Sequence, residues 1–331
     1  MLLAGDIGGT KTVLALYQEI SQADFDHQPI REAVYPSTNY PSLEAIIAEF
    51  LSTSDGEITG ASFGVAGPVV NRRAQITNLT WTIDAEVIGE ALGVETHLLN
   101  DLEAIANAVP YLEAEDVFVI NEGRPEPGGA IAVIAPGTGL GEAFLVWHAS
   151  ESRYESYPSE GGHAAFAPTT PRQLELLEYW QSRMEHVSYE RLCSGIGIPN
   201  IYYYLVNSGK FEEPDWLRDE LEAVADMTPV IVTAAVQHKA DICVETLDLF
   251  MEILGGESAN LALKVLATGG VFIGGGIAPR ILPQLQSSNF LERFCSKGRF
   301  STMMCNMPVK VIRNPKVALY GAAYEALKIA H

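Results

Sequence analysis

Apolar residues open the chain in two short runs around a polar turn. Leu2-Leu3-Ala4 runs into Gly5-Asp6-Ile7-Gly8-Gly9-Thr10-Lys11-Thr12, and Val13-Leu14-Ala15-Leu16 follows. Runs this short, divided by glycines, predict a β-hairpin over residues 1–17. Ala33-Val34-Tyr35 predicts a third strand before Pro36. Leu43, Ile46, Ile47 and Phe50 then fall on one helical face, so Ser42 caps a helix running to about Ser52. A strand is predicted over Ile58–Val65, then a polar loop from Asn71 to Trp81. Asp84 caps a helix to Leu92, and Thr96-His97-Leu98-Leu99 is a strand that delivers Asn100-Asp101. The next helix, from Leu102 to Ala108, stops at Pro110.

The opening pattern returns later. Ile131-Ala132-Val133-Ile134-Ala135 leads into Pro136-Gly137-Thr138-Gly139-Leu140-Gly141, and Ala143-Phe144-Leu145-Val146 leaves it. A surface turn from Asn121 to Gly129 precedes this second unit, so the chain reads as an internally duplicated α/β protein. Helical spacing dominates from Arg172 to Arg183, from Glu220 to Leu254 and from Ser258 to Ala267, with a closing helix over Pro315–Ile329. The apolar stretch Leu261–Pro279 contains Lys264 and several glycines, which reads as a helix end, a strand and a turn of buried core.

At 331 residues the chain fits two domains rather than one simple core. Its hydrophobic content of 47% and charged content of 19% describe a folded chain without low-complexity segments. A net charge of −21 argues against a nucleic-acid or anionic-membrane partner. An anionic ligand must then be met by local devices: backbone N–H groups, Lys11 or a divalent metal. The four cysteines show neither Cys-x-x-Cys nor zinc spacing and read as small thiols of a reducing cytosol. Met1 is followed at once by an apolar strand without a basic region, which predicts a cytoplasmic protein.

Both glycine turns suit phosphate. Glycines leave no Cβ between backbone N–H groups and an anion, Asp6 can hold a water on Mg²⁺, and Thr10 and Lys11 offer a hydroxyl and a cation. Neither turn is a Walker P-loop, which needs Gly-Lys-Ser/Thr opening a helix. Each taken alone also reads as a plain hairpin. Asp101 follows a strand and reads either as a helix N-cap or as a general base for a hydroxyl. Ser159-Glu160-Gly161-Gly162-His163 sets two polar side chains on a turn suited to vicinal hydroxyls. Glu190 reads equally as a helix-surface charge beside Arg191, and Gly274-Gly275-Gly276 as a flat bed for a purine or as a loose turn.

Together with Thr77-Asn78-Leu79-Thr80-Trp81, His186-Val187-Ser188-Tyr189-Glu190-Arg191 and Ile277-Ala278-Pro279-Arg280, these segments resemble, in order and over nearly the whole chain, the bacterial glucokinases of the hexokinase type. The resemblance implies a two-domain actin-like ATPase (ribonuclease H-like) fold, with duplicated mixed-sheet α/β domains and a cleft between them. The small domain would be 1–111 plus 314–331, and the larger one 112–313. It implies ATP-dependent phosphorylation of D-glucose to glucose 6-phosphate with Mg²⁺, in a homodimer. Asp6, Gly8, Gly9, Thr10 and Lys11 would form the first phosphate loop, Gly137, Thr138 and Gly139 the second, while Gly274, Gly275 and Gly276 flank adenosine. Asn78, Asn100, Asp101, Glu160, His163 and Glu190 would bind glucose, with Asp101 taking the 6-hydroxyl proton. Many such glucokinases carry Asn where Lys11 stands.

The related ROK kinases carry a Cys-x-Cys-Gly-x-x-Gly-Cys zinc motif after the substrate-binding His. Here Ala164-Ala165-Phe166-Ala167-Pro168 follows His163, which predicts no structural zinc. A kinase for another hexose (mannose, fructose or an N-acetyl sugar) is the competing expectation. A sugar-sensing regulator, which needs a DNA-binding module ahead of the first loop, and an ATPase without a sugar site fit less well.

Overall fold

The computed structural model describes all residues except 21–24, 26, 55, 77 and 78. The chain divides into two units: Met1–Glu113 with Tyr154–Ser156 and Asn314–His331, and Ala114–Arg153 with Tyr157–Arg313.

In the first unit, β1 (Leu2–Ile7) and β2 (Lys11–Tyr17) form the antiparallel hairpin, and β2 pairs β3 (Arg31–Pro36). Next come α1 (Leu43–Leu51), β4 (Gly60–Val65) and a small antiparallel ribbon of β5 (Val69–Val70), β6 (Arg73–Gln75) and β7 (Thr82–Asp84). They are followed by α2 (Ala85–Leu92), β8 (Thr96–Asn100) and α3 (Asp101–Ala108). Ser42 and Asp84 cap their helices through side-chain oxygens, and Gly93 ends α2 at φ 72°. The five-stranded sheet has the order β3-β2-β1-β4-β8. Because side chains alternate along β1, Leu3 and Ile7 join Ile46, Phe50 and Phe63 on one face. Leu2 and Ala4 join Leu319, Ala322 and Leu327 of the C-terminal helix (Val317–Ala330) on the other. That helix also crosses α3 closely, and a Cβ at Gly321 would collide with the Ala104 carbonyl.

The second unit begins with β9 (Val117–Asn121), β10 (Ile131–Pro136), β11 (Leu140–His148) and β12 (Arg153–Ser159). A 3-10 turn at Gly161–His163 leads to α4 (Pro171–Gln181), α5 (Gly197–Ser208), α6 (Asp215–Glu222), α7 (Thr228–Val236) and α8 (Asp241–Val265). The chain closes through β13 (Gly270–Ile273), α9 (Leu282–Ser287), α10 (Phe290–Cys295), α11 (Ser301–Asn306) and β14 (Val309–Ile312). Its sheet order is β12-β11-β10-β13-β14-β9. As β1 pairs β2 antiparallel and β4 parallel, so β10 pairs β11 antiparallel and β13 parallel, and each sheet adds one more parallel strand. The duplication expected from the two hairpins is thus realised in topology.

Three local expectations change. The pattern breaks the long helix between Leu254 and Ser258, yet α8 runs unbroken through Gly255 and Gly256. Its α10 neighbour explains the glycine, since a Cβ at Gly255 would collide with the Phe290 carbonyl. Helix α5, which the sequence reading did not separate, buries Ile198, Ile201, Tyr202 and Leu205. Finally, Cys295 and Cys305 form a disulfide, because the 3-10 turn Gly298–Phe300 folds α11 back beside α10 and brings the Cα atoms to 5.1 Å. Cys193 and Cys243 are free and buried. Among the described residues, no helix is long and apolar enough to cross a membrane.

Candidate active site

Parallel pairing of β1, β4 and β8 brings their carboxyl ends to one edge of the first sheet, with Asp6 beside Gly64 and Gly64 beside Leu99. Open α/β sheets bind ligands at this edge. Asp6 and Asp101 stand there close enough to feel each other's charge. Burial pushes the Asp6 carboxyl up, Lys11 draws it down, and Asp101 raises it again. Asp101 keeps an exposed surface while protein crowds its carboxyl on other sides. That crowding raises its pKa, against hydrogen bonds that include one donated by the Leu102 N–H at 2.9 Å. The cap of α3 is Asn100, whose Oδ1 accepts from Glu103 N at 2.6 Å. Asp101 is therefore the first helical residue and not the cap, and the Asn100 cap uses its Oδ1 alone.

The first glycine turn is narrow and braced. Gly8 N donates to Lys11 O at 2.9 Å, and the Ser37 hydroxyl donates to Gly8 O at 2.8 Å while lying 3.0 Å from Thr12 Oγ1. Ser37 N also donates to Thr10 O at 3.0 Å. Thr10 and Lys11 are exposed, Gly9 half-buried. Ser37 was not among the residues singled out from sequence. Nothing local marks it, since its partners lie across β2.

In the second unit, Gly137 N donates to Gly139 O at 2.9 Å, and Gly195 N donates to Gly137 O at 2.8 Å. Gly137 and Thr138 border a cavity of about 740 Å³, together with Ile196, Asp226, Thr228, Gly276 and Arg280 among others. The three late glycines have separate roles. Gly274 is buried and continues the sheet through its N–H to Ile134 O at 2.8 Å. Gly275 turns at φ 79° against the Pro136 carbonyl, where a Cβ would collide. Gly276 is exposed and reaches the cavity. Asp226 and Thr228 were missed, although Asp226-Met227-Thr228-Pro229 is a helix-start signal. Asp226 Oδ1 accepts from Thr228 N at 3.0 Å, and Thr228 Oγ1 donates to Gly195 O at 2.5 Å.

Beside this turn the second unit gathers three polar side chains from distant positions. His163 lies 3.8 Å from Glu160 through Nε2 and 3.8 Å from Glu190 through Nδ1. Backbone bonds from Tyr189 N to Ala164 O and from Glu190 N to Gly162 O stitch the two segments together. Glu190 Oε2 also accepts from Leu140 N at 3.0 Å, which ties the group to the start of β11. Glu190 is thus no simple surface charge. Asn78 lies outside the described residues, as does Thr77 of the same loop. Among the described residues, no three of His, Cys, Asp and Glu cluster so as to hold a metal ion.

A family model described as Glucokinase matches residues 3–329. A glucokinase of Nostoc punctiforme is 40% identical over 99% of this chain and 99% of its own. One of Synechocystis is 34% identical over 97% and 96%. Among solved structures, a glucokinase from an Antarctic psychrotroph superimposes with a TM-score of 0.87 at 32% identity, covering 99% and 98% of the two chains. A ROK-family glucokinase of Streptomyces griseus, solved with glucose and AMPPNP, shares the fold at a TM-score of 0.62 and 18% identity, covering 99% of each chain. With the full-length family match and these identities, the chain belongs to the glucokinase family.

Proposed function

We propose that this chain transfers the γ-phosphoryl group of ATP to the 6-hydroxyl of D-glucose, with Asp101 as the base that accepts the hydroxyl proton. Glucose phosphorylation is the activity its family is named for. The observation that carries the residue assignment is the gathering of Glu160 and His163, on one turn, with Glu190, from a second segment, within ion-pair reach of His163. Carboxylates and an imidazole at this spacing accept from and donate to neighbouring sugar hydroxyls. By amide chemistry alone, Asn78 and Asn100 are further candidates for the sugar hydroxyls. The Asp101 carboxyl, raised by crowding, is a stronger proton acceptor than a free aspartate.

Phosphoryl transfer rests mainly on positioning and charge. The N–H groups of Gly9 and Thr10, with Lys11, would receive phosphate oxygens in the first unit, and those of Thr138 and Gly139 would do so in the second, while the N–H groups of Gly8 and Gly137 brace their turns through Lys11 O and Gly139 O. The cavity bordered by Gly276 and Arg280 suits the nucleoside, and Gly274 and Gly275 stand behind it as the sheet end and the turn that deliver Gly276. The Streptomyces relative's AMPPNP supports ATP as donor. The carboxylate oxygens of Asp6, with the Asp101 carboxylate near enough to add its charge, fit Mg²⁺, which Asp6 would hold. When bound, that ion neutralises phosphate charge. We further place the reaction at the entry of glycolysis, in a cytoplasmic homodimer, which light scattering of the purified protein tests.

The deciding experiment is a coupled assay of sugar 6-phosphate formation across glucose, mannose, fructose, N-acetylglucosamine and N-acetylmannosamine, with ATP, ADP and polyphosphate as donors. The proposal expects glucose with Mg·ATP to lead in kcat/KM. A flat panel or a preferred N-acetyl sugar overturns it.

A further inference from the structure

Beneath the sugar-binding turn lies a buried polar layer that no step of the reaction uses. Glu142 on β11 is 1% exposed and Glu257 on α8 is 0% exposed. The Glu142 carboxyl fills the space next to Gly161, where an added Cβ would stand 2.8 Å from its Cδ and collide with Oε2. Glu142 Oε1 has no hydrogen-bond partner among the described residues. Other groups face the pair from each packed element. Lys264 Nζ of α8 lies 3.6 Å from Glu257 Oε1, and Asn260 Nδ2 donates to Glu257 Oε2 at 2.8 Å and to the Tyr189 hydroxyl at 3.0 Å. Lys297 donates to Asn260 Oδ1 at 2.6 Å, and buried Cys193 senses both carboxyls.

Two carboxylates cannot both ionise cheaply in such a place, and one shared proton relieves the repulsion. Burial first, and then the Glu257 charge, push Glu142 up to about 8 against the pull of Lys264. The turn above is held at two adjacent glycines, by Glu142 at Gly161 and by the Leu140 carbonyl at Gly162.

We propose that the Glu142–Glu257 pair is the positioning device of the sugar-binding turn: by sharing one proton it seats Glu142 under Gly161 and so sets where Glu160 and His163 stand. The inference rests on reading those two residues as glucose ligands. Loss of the shared proton at alkaline pH drives the carboxyls apart, displaces Gly161 and weakens glucose without touching Asp101. A role confined to stability would lower the melting temperature and leave the pH dependence of glucose binding alone.

The test measures kcat, glucose KM and, by calorimetry without nucleotide, glucose Kd between about pH 6.5 and 9.5 for the parent, Glu142→Gln and Glu257→Gln. The parent's KM and Kd should rise together, by roughly tenfold above about pH 8, while kcat changes less. In either variant an amide replaces the shared proton, so both profiles should flatten. Either one suffices if the other misfolds. A parent profile without the rise, or variant profiles superimposable on it, overturns the proposal. If Kd follows the expected profile but no sugar is phosphorylated, positioning stands and the kinase reading falls. If glucose binds at no pH, both fall.

Discussion

The two glycine turns occupy equivalent places in duplicated sheets, yet they differ in what surrounds them. The first, at Gly8–Thr10, lies among charge: Asp6 precedes it, Lys11 follows, and Asp101 stands at the same sheet edge. Its brace is a pair of buried hydroxyls, Thr12 and Ser37. The second, at Gly137–Gly139, is braced by the Gly195 backbone and looks into a cavity. Its neighbouring carboxylate, Glu190, accepts from Leu140 N through Oε2 and keeps Oε1 3.8 Å from His163. Duplication has kept the scaffold that presents backbone N–H groups. The side chains have diverged, with Asp6, Lys11 and Asp101 around the first turn and Glu160, His163 and Glu190 beside the second.

The largest test of this contrast is Asp101→Asn, expected to lower kcat by about 10²-fold or more with little change in glucose KM. Near-normal turnover would move the base out of the first unit. The pH profile sharpens the same point. An ionised Asp101 is needed, its pKa is raised, and so kcat/KM should fall with decreasing pH from an acid limb above the usual aspartate range.

Glu190→Gln should act mainly on the second unit's task, raising glucose KM on the order of tenfold and sparing ATP KM. An equal effect on both substrates would erase the division of labour. Ser37→Ala leaves Thr12 and Gly8 O short of a partner, so it should cost about 1–3 kcal/mol in chemical unfolding and raise ATP KM more than glucose KM. Lys11→Gln should do least. The side chain is exposed, and a few-fold rise in ATP KM that fades with added salt is expected, about what a solvent-screened charge supplies.

Much of the fold could be read from neighbouring residues. Ser42 and Asp84 sit where their helices begin, because a cap bonds to an N–H two or three residues on. The two hairpins follow from short apolar runs around glycines, since antiparallel strands joined by a tight turn need no distant partner. Family resemblance rested on the same short segments. What surrounds a residue across the fold was out of reach. Whether Asn100 or Asp101 caps α3 depends on a single turn's geometry. Gly255 continues a helix only because Phe290 crosses it, and Cys295 meets Cys305 only because α10 and α11 fold back. Glu142 looks like an ordinary strand residue until α8 brings Glu257 over it and the Gly161 turn settles against it. The sequence by itself determined the strands, caps, glycine turns and family. Tertiary packing alone decided burial, and with it which polar groups are paired, crowded or left to meet a ligand, because those properties depend on contacts between residues far apart in the chain.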